Sequence, residues 1–563
     1  MTDLVQMAVG TVNAQLVNPS KAVKALAHKT LSYVVEGAEF SGAGNGQWNG
    51  RSSFFSNLKG TFPAGFAHLL HAELVRAGHR VHLVKKPLPE PLGPEDPKVD
   101  AFGNDNPDYD YQMRTIRQLL RHGRGIAQIA TGGGKSKIAK LAVARIRRPT
   151  LFITTRGVLM HQMADGFREA GFKVGLIGDG EWSPVRGVNC AMVQTLVARL
   201  EETDVSKELI KGVERRAAAE EKARALLKAR MKRDGAKPRD IALALDKLEN
   251  EQIDARPSDE QMANEASQRA IQQMTLRART IKFLEMIELV IGEEAHEVGG
   301  TSYFEILRHC RNARYRLALT ATPFMRADAA DNMRLMAAFG PILIQVTEKE
   351  LIDKGILARP YFRFVDTPTP KGLFKSTPYQ RAYAMGYVNN VPMHAAIVAE
   401  TKKAASLGQP VMTLIQRTAH GDILAELMRK AGLRVVFLKG EDDQRARKRA
   451  LDQLARGEID VLIGTTILDV GVDVPAVGLV QLAGGGKAEV ALRQRIGRGA
   501  RRKKTGANIF FVSDYSTGPN SHLQGHARER RGIIEGTDGF REGILKPGAD
   551  HPWHLVSATK RAA

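Results

Sequence analysis

The sequence predicts an α/β protein: two doubly wound parallel-sheet domains in tandem, preceded by a small α+β unit and interrupted by a helical insertion. Three observations predict it. Short apolar runs alternate with helical periodicity twice, between Gly125 and Val346 and again between Val411 and Val512, which is the pattern of strand–helix–strand crossovers in a parallel sheet. A stretch rich in Ala, Glu, Lys and Arg, residues 201–282, interrupts the first set. A proline-rich segment separates both sets from the first 85 residues. With 563 residues the chain can build three or four domains with sizeable cores, and 43% apolar with 26% charged residues is the balance of a globular protein.

Residues 1–85 read as the small α+β unit. Helical spacing from His68 ends at Gly78, and Val81–Val84 follows as a strand. Around Gly44–Arg51, glycines flank Trp48 and Arg51. Such a hairpin loop can stack an indole on a base and set a guanidinium on a phosphate; a plain turn packed by Trp48 fits equally well. Residues 86–107 form a linker whose prolines predict an extended, stiff spacer.

The first large domain is expected over 108–345. Ile126–Ala130 is a short strand, and Ile138–Ile146 an amphipathic helix. Thr150–Thr154, Val174–Ile177, Ala191–Val193, Met286–Ile291 and Arg316–Thr320 are further strands. Within 201–282, Ile241, Leu245 and Leu248 keep helical spacing, while Asp234–Pro238 and Arg256–Ser258 break the run, so a three-helix arm is expected. A second domain over 346–515 has strands at Val411–Ile415, Val435–Leu438, Val461–Ile463, Leu479–Leu482 and Ile509–Val512. Residues 516–563 read as a basic, Gly/Pro-punctuated tail without an assignable fold.

A net charge of +22 and a pI near 9.9 point to a polyanionic partner, nucleic acid first, with a ribosome-associated or merely soluble basic protein as the alternative. Cys190 and Cys310 stand far apart, which rules out a cysteine-rich zinc site and a disulfide framework. No run approaches a membrane span, and the start lacks the regions of a signal peptide, so a cytoplasmic location is expected.

The chemistry starts at Thr131-Gly132-Gly133-Gly134-Lys135-Ser136. A glycine turn opening a helix cradles phosphate oxygens on backbone N–H groups; Lys135 would reach the β- and γ-phosphates and Ser136 would hold Mg²⁺. Ile129 stands where the general pattern has a first glycine. Such a site needs a carboxylate after an apolar strand. Glu293 and Glu294 meet that need, one for the metal and one for the attacking water. Arg498 and Arg501, three residues apart and so on one helical face, can supply cationic fingers from the second domain. Gln112 precedes the loop and can read adenine through its amide.

These segments resemble the superfamily 2 helicases of the DEAD/DEAH type. The Thr131–Ser136 loop is similar to motif I, Glu293–His296 to motif II and Thr320–Thr322 to motif III. Gly464–Pro475 is similar to motif V and Gln494–Arg501 to motif VI, while Thr155–Arg156, Gln194–Thr195 and Ile415–Arg417 resemble motifs Ia, Ic and IV. The first acid of motif II is usually Asp in that family; here it is Glu293. Gly46–Arg51, Phe62–Phe66, Gln162–Phe167 and Thr418–Gly421 look like the bacteriophage UvsW-type group.

The resemblance implies two RecA-like domains closing on ATP and Mg²⁺. Thr131, Gln112 and Asp473 would contact the nucleotide. His296, Thr320, Thr322 and Gln494 would couple hydrolysis to movement. One DNA strand would be held by Thr155, Arg156, Gln194, Thr195, Arg417, Thr465 and Thr466, with Trp48 and Arg51 contacting DNA from the amino-terminal unit. It further implies a 3′→5′ translocase acting on single strands, forks, junctions and RNA–DNA hybrids; a monomer is expected, though nothing in the sequence fixes the oligomeric state. A motor subunit of a restriction or defence complex, an RNA helicase and a non-hydrolysing clamp remain alternatives.

Overall fold

The computed structural model describes residues 4–35, 50–295, 300–324, 329–440, 442, 444–465, 477–486, 489–503 and 506–556. Two large sheets organise it. The first has eight strands in the order Glu181–Trp182, Val174–Gly178, Val188–Met192, Thr150–Thr154, Leu289–Glu293, Tyr315–Thr320, Arg124–Ile129, Ile342–Val346. All pairings but that of Glu181–Trp182 are parallel. Its central strands are buried along their whole length, Thr150–Thr154 and Tyr315–Thr320 among them, because helices cover both faces of a parallel sheet. The second sheet has six parallel strands in the order Arg359–Thr367, Ile509–Thr517, Leu479–Leu482, Val411–Leu414, Val461–Gly464, Val435–Leu438.

Register decides what meets at the edge. Glu293 is paired with Leu319, and Thr320 with Gln128, so the ends of three parallel strands emerge side by side with the phosphate loop. The strand expected at Met286–Ile291 begins instead at Leu289. Met286 closes the helix Asp259–Glu285, its N–H on the Phe283 carbonyl at 3.0 Å, and this delay carries Glu293 to the strand's last position.

The amino-terminal residues form a four-stranded sheet, Thr61–Pro63, Asn13–Val17, Leu4–Val9, Arg80–Lys85, with helices Lys21–Thr30 and Ala67–Arg76. This unit is seated on the first lobe. A Cβ on Gly65 would lie 2.2 Å from the Met336 carbonyl oxygen, and Arg124 donates to the Thr11 carbonyl at 2.7 Å.

Two expectations are corrected. The proline-rich segment is a strap on the first lobe rather than a free spacer. Leu92 and Gly93 donate to the carbonyls of Ile146 and Arg145 at 3.1 and 3.0 Å, Arg148 donates to Glu90 O at 2.8 Å, and Arg314 to Pro87 O at 2.5 Å. Prolines remove donors but leave carbonyls, and arginines satisfy them. The residues after 515 are no tail. Ile509–Thr517 lies inside the second sheet, helix Ser521–Glu535 packs on that lobe, and Trp553 stacks edgewise on Phe511 with ring centres 4.7 Å apart. The helix buries Leu523, Ala527, Arg530 and Ile534. The cation in that stripe hid the periodicity; Asp514 neutralises it at 2.9 Å, with both side chains almost fully buried.

The 201–282 stretch folds as helices Val205–Arg233, Pro238–Asp254 and Asp259–Glu285. Among the described residues no helix is long and apolar enough to cross a membrane.

Candidate active site

The phosphate loop joins strand Arg124–Ile129 to helix Lys135–Ile146. Gly132 and Gly134 have φ of 86° and 79°, where a side chain would be strained, and a Cβ on Gly134 would lie 2.6 Å from the Gln112 amide nitrogen. The Tyr111 hydroxyl donates to the Gly133 carbonyl at 2.7 Å and pins the turn from behind. Lys135 is buried at the first turn of its helix, whereas Ser136 is exposed. The helix N-terminus and the lysine therefore lie at one turn, an arrangement suited to an anion.

Glu293 and Glu294 stand across that volume. Glu294 has φ of +46°, unusual for a residue with a side chain. Its N–H donates to the Leu319 carbonyl at 3.0 Å, and its carboxylate reaches Lys135 Nζ at 3.6 Å. The backbone kink thus turns the second acid toward the lysine. Glu293 is buried, its backbone carbonyl held by the Tyr303 hydroxyl at 3.2 Å, and its Oε2 has no hydrogen-bond partner. Burial, and then the neighbouring Glu294 charge, push its proton affinity up to about 7, with Lys135 pulling the other way. A buried carboxylate oxygen without a partner fits a divalent cation. Among the described residues no group of three or more His, Cys, Asp or Glu could hold one by itself.

The sign of the pH effect follows. Glu293 keeps its proton up to about pH 7, so below that a cation must displace it, and cation affinity rises with pH until the acid is ionised. We expect the Mg²⁺ concentration for half-maximal nucleotide turnover to fall about tenfold between pH 6 and pH 8. Glu293→Gln should flatten this dependence, and a wild-type profile equally flat would contradict the assignment.

The second lobe closes the other side. Helix Glu489–Gly499 brings Gly497 against the loop, where a Cβ would lie 2.7 Å from Thr131 Cγ2. Arg493 on the same helix bridges Glu348 of the connecting helix and Glu489, both at 2.9 Å. Ala358 donates to the Ala500 carbonyl at 2.7 Å, and Leu357 pairs with Arg501 as a backbone bridge. The shared helical face expected for Arg498 and Arg501 is corrected: the helix ends at Gly499 and Arg501 follows it in extended backbone, exposed at this seam, while Gln494 is half-buried within the helix.

A second set of residues lines the same strand edges. Thr155 and Arg156 follow strand Thr150–Thr154, and Gln194 and Thr195 open the helix after its neighbour Val188–Met192. Parallel pairing brings the two ends together, and the Gln194 amide donates to the Thr155 carbonyl at 3.0 Å. In the second sheet Arg417 and Thr465 occupy the corresponding edge of paired strands Val411–Leu414 and Val461–Gly464. The Arg417 guanidinium lies 4.7 Å from the centre of the Tyr383 ring. Thr320 and Thr322 are buried beside the acids, with Thr322 N–H on Thr320 Oγ1 at 3.2 Å. Arg51 is exposed and donates to Ser32 O at 3.4 Å. Trp48, His296, Thr466, Asp473 and the Arg498 side chain lie outside the described residues.

Three roles lie outside the sequence expectations: Tyr111 as the latch behind the loop, Tyr303 under Glu293, and Arg493 of helix Glu489–Gly499 holding Glu348 of helix Glu348–Asp353. Each acts through contacts distant in sequence, for which no local pattern exists.

Residues 107–325 match the family model described as type III restriction enzyme, res subunit, and residues 395–503 match the helicase conserved C-terminal domain. The chain is 26% identical over 227 residues to putative helicase 22 of Sulfolobus islandicus filamentous virus, covering 38% of this chain and 39% of that one. It is 23% identical over 288 residues to the ATP-dependent RNA helicase DBP8 of Meyerozyma guilliermondii, covering 50% and 60%. The match to UvrABC system protein B of Anaplasma phagocytophilum is 35% identical over 146 residues, 25% and 22% of the two chains. The chain thus spans about a fifth to three fifths of these relatives' lengths. Among solved structures, T4 UvsW aligns at 16% identity and a TM-score of 0.40, covering 97% of this chain and 99% of that one, and the Pyrococcus furiosus Hef helicase domain at 16% and 0.44, covering 75% and 97%.

Proposed function

We propose that the chain, as a member of the superfamily 2 helicases, is a DNA-stimulated ATPase that moves 3′→5′ along one strand and remodels forks and junctions. One observation carries the reading. Lys135, Glu293 and Glu294 converge on one glycine turn, and the second lobe's helix rests on the same turn through Gly497.

Lys135 and the loop amides bind the β- and γ-phosphates of ATP, and Gln112 holds the adenine end. Mg²⁺, held by Ser136 and Glu293, would neutralise charge on the phosphate oxygens. Glu294 accepts a proton from water as its oxygen attacks the γ-phosphorus; the bond to the bridging oxygen breaks and ADP leaves with the electron pair. Arg498 and Arg501 stabilise the charge developing on the γ-phosphoryl oxygens. Departure of the cleaved phosphate takes that negative charge out of the site, and the seam at Thr131 and Gly497 opens. Thr320, Thr322, His296, Gln494 and Asp473 transmit the change. Thr155, Arg156, Gln194, Thr195, Arg417, Thr465 and Thr466 hold the backbone of one strand, so binding depends on salt more than on sequence. Trp48 and Arg51 engage DNA from the amino-terminal unit.

The UvsW-type motifs favour fork and junction substrates, including RNA–DNA hybrids. A second reading, an RNA helicase, is favoured by the name of the DBP8 relative. A panel of forked, four-way and RNA–DNA hybrid substrates, scored for ATP-dependent strand displacement alongside single-stranded RNA and DNA as ATPase activators, separates the two. Displacement on DNA forks with stronger stimulation by DNA supports our proposal; stimulation by RNA alone would replace it.

A further inference from the structure

The three-helix arm is the largest element that the motor reading leaves without a task. Its root is fixed. Gln273 donates to the carbonyls of Ala198 and Glu201 at 2.9 and 3.2 Å, Arg277 to Leu200 O at 3.1 Å, and Arg199 to Thr280 Oγ1 at 3.2 Å, with its guanidinium 3.6 Å from the centre of the Trp182 ring. These residues anchor the arm to helix Val193–Leu200, whose first turn carries Gln194 and Thr195. The first arm helix, Val205–Arg233, then runs 29 residues, about 43 Å at ~1.5 Å per residue. Helix Pro238–Asp254 returns along its outer half, tied by Arg224–Glu249 at 3.3 Å.

Charge is distributed unevenly along it. From 205 to 285 the sequence has eighteen Lys and Arg against fourteen Asp and Glu, a net of four positive. The twelve residues 228–239 at the far end hold six of those cations and one acid, a net of five positive. The rest of the arm is therefore net negative by one. Along the stem seven of the twelve cations are in ion pairs among the described residues, Arg215 with Glu208 at 2.9 Å and Arg256 with Glu220 at 3.4 Å among them. At the tip Arg230 and Arg233 share Asp234, while Lys228, Lys232, Lys237 and Arg239 are exposed and in no ion pair among the described residues. A solvated helix needs only mixed charge to stay soluble. Concentrating uncompensated cations around the Gly235 turn, where a Cβ would meet nothing within 4 Å, makes a blunt basic end that a polyanion can approach.

We infer that the arm's tip is a second nucleic-acid contact, seating the phosphodiester backbone of duplex about 40 Å from the arm's root, outside the strand held by the motor. It rests on the nucleic-acid reading above. The contact is electrostatic, without sequence preference, and its strength depends on the length of duplex available.

The test compares the full chain with the variant Lys228→Gln/Lys232→Gln/Lys237→Gln/Arg239→Gln. The probes are a duplex of about 40 base pairs, roughly three times the arm's reach at ~3.4 Å per pair, and a single strand of about 10 nucleotides, within the motor's own grip. On the duplex the variant should bind at least tenfold more weakly near 0.15 M salt, and the slope of log K against log salt should fall by about 2–4, at about 0.9 per lost phosphate contact. On the short strand, binding and stimulated ATP hydrolysis should match the wild type. Equal affinity and slope on the duplex would overturn the inference and point to an acidic protein surface as the tip's partner. Failure of the wild type to bind either probe would overturn the nucleic-acid reading, and this inference with it.

Discussion

Lys135→Ala is expected to lower ATP turnover by at least about 10²–10³-fold, the loss that follows removal of one preorganised charge from a developing oxyanion, while nucleic-acid binding persists. The lysine is buried at the head of its helix and stands 3.6 Å from Glu294. Its ammonium is thus placed to serve the γ-phosphate and to hold the second acid in the turned position. Alanine removes both effects and leaves two carboxylates facing each other, so Glu293 should hold its proton to still higher pH. Thr155, Arg156 and Gln194, the residues proposed to hold nucleic acid, follow other strands of the sheet and are untouched. Phosphate release with and without DNA, together with equilibrium DNA binding, checks both halves. Stimulated turnover within a few-fold of wild type would refute the motor.

Arg501→Ala should keep nucleotide affinity within a few-fold yet cost on the order of 10³ in turnover, about 4 kcal/mol of transition-state stabilisation. The residue follows a helix already resting on Thr131, and its backbone pairs with Leu357 of the connector. A finger placed at a seam contributes only when the seam is closed. Its loss therefore appears in turnover and not in ground-state binding. Single-turnover hydrolysis beside a nucleotide-binding isotherm separates the two. Unchanged turnover would transfer the role to Arg498.

Sequence patterns were most legible where chemistry requires fixed residue types at short spacing. The glycine turn before Lys135 and Ser136 and the acid pair ending an apolar strand are such cases, and the strands of both sheets are apolar runs because both faces are buried. Legibility failed where one residue's role depends on a distant partner. Arg530 broke the apolar stripe of its helix, yet it is buried on Asp514. The prolines before Pro97 suggested a free spacer, yet Arg148 and Arg314 bind the strap's carbonyls to the first lobe. Met286 was read as strand but closes a helix.

By itself the sequence determined the identity and order of the motifs, the two-sheet architecture and the charge that calls for a polyanion, because residue type and local spacing encode these directly. Only the tertiary structure decided that Glu294 turns back toward Lys135, that burial leaves Glu293 with a partnerless oxygen, and that the arm's root joins the helix carrying Gln194. Burial, proton affinity and the approach of one charge to another depend on elements remote in sequence, which become neighbours only once the sheets have formed.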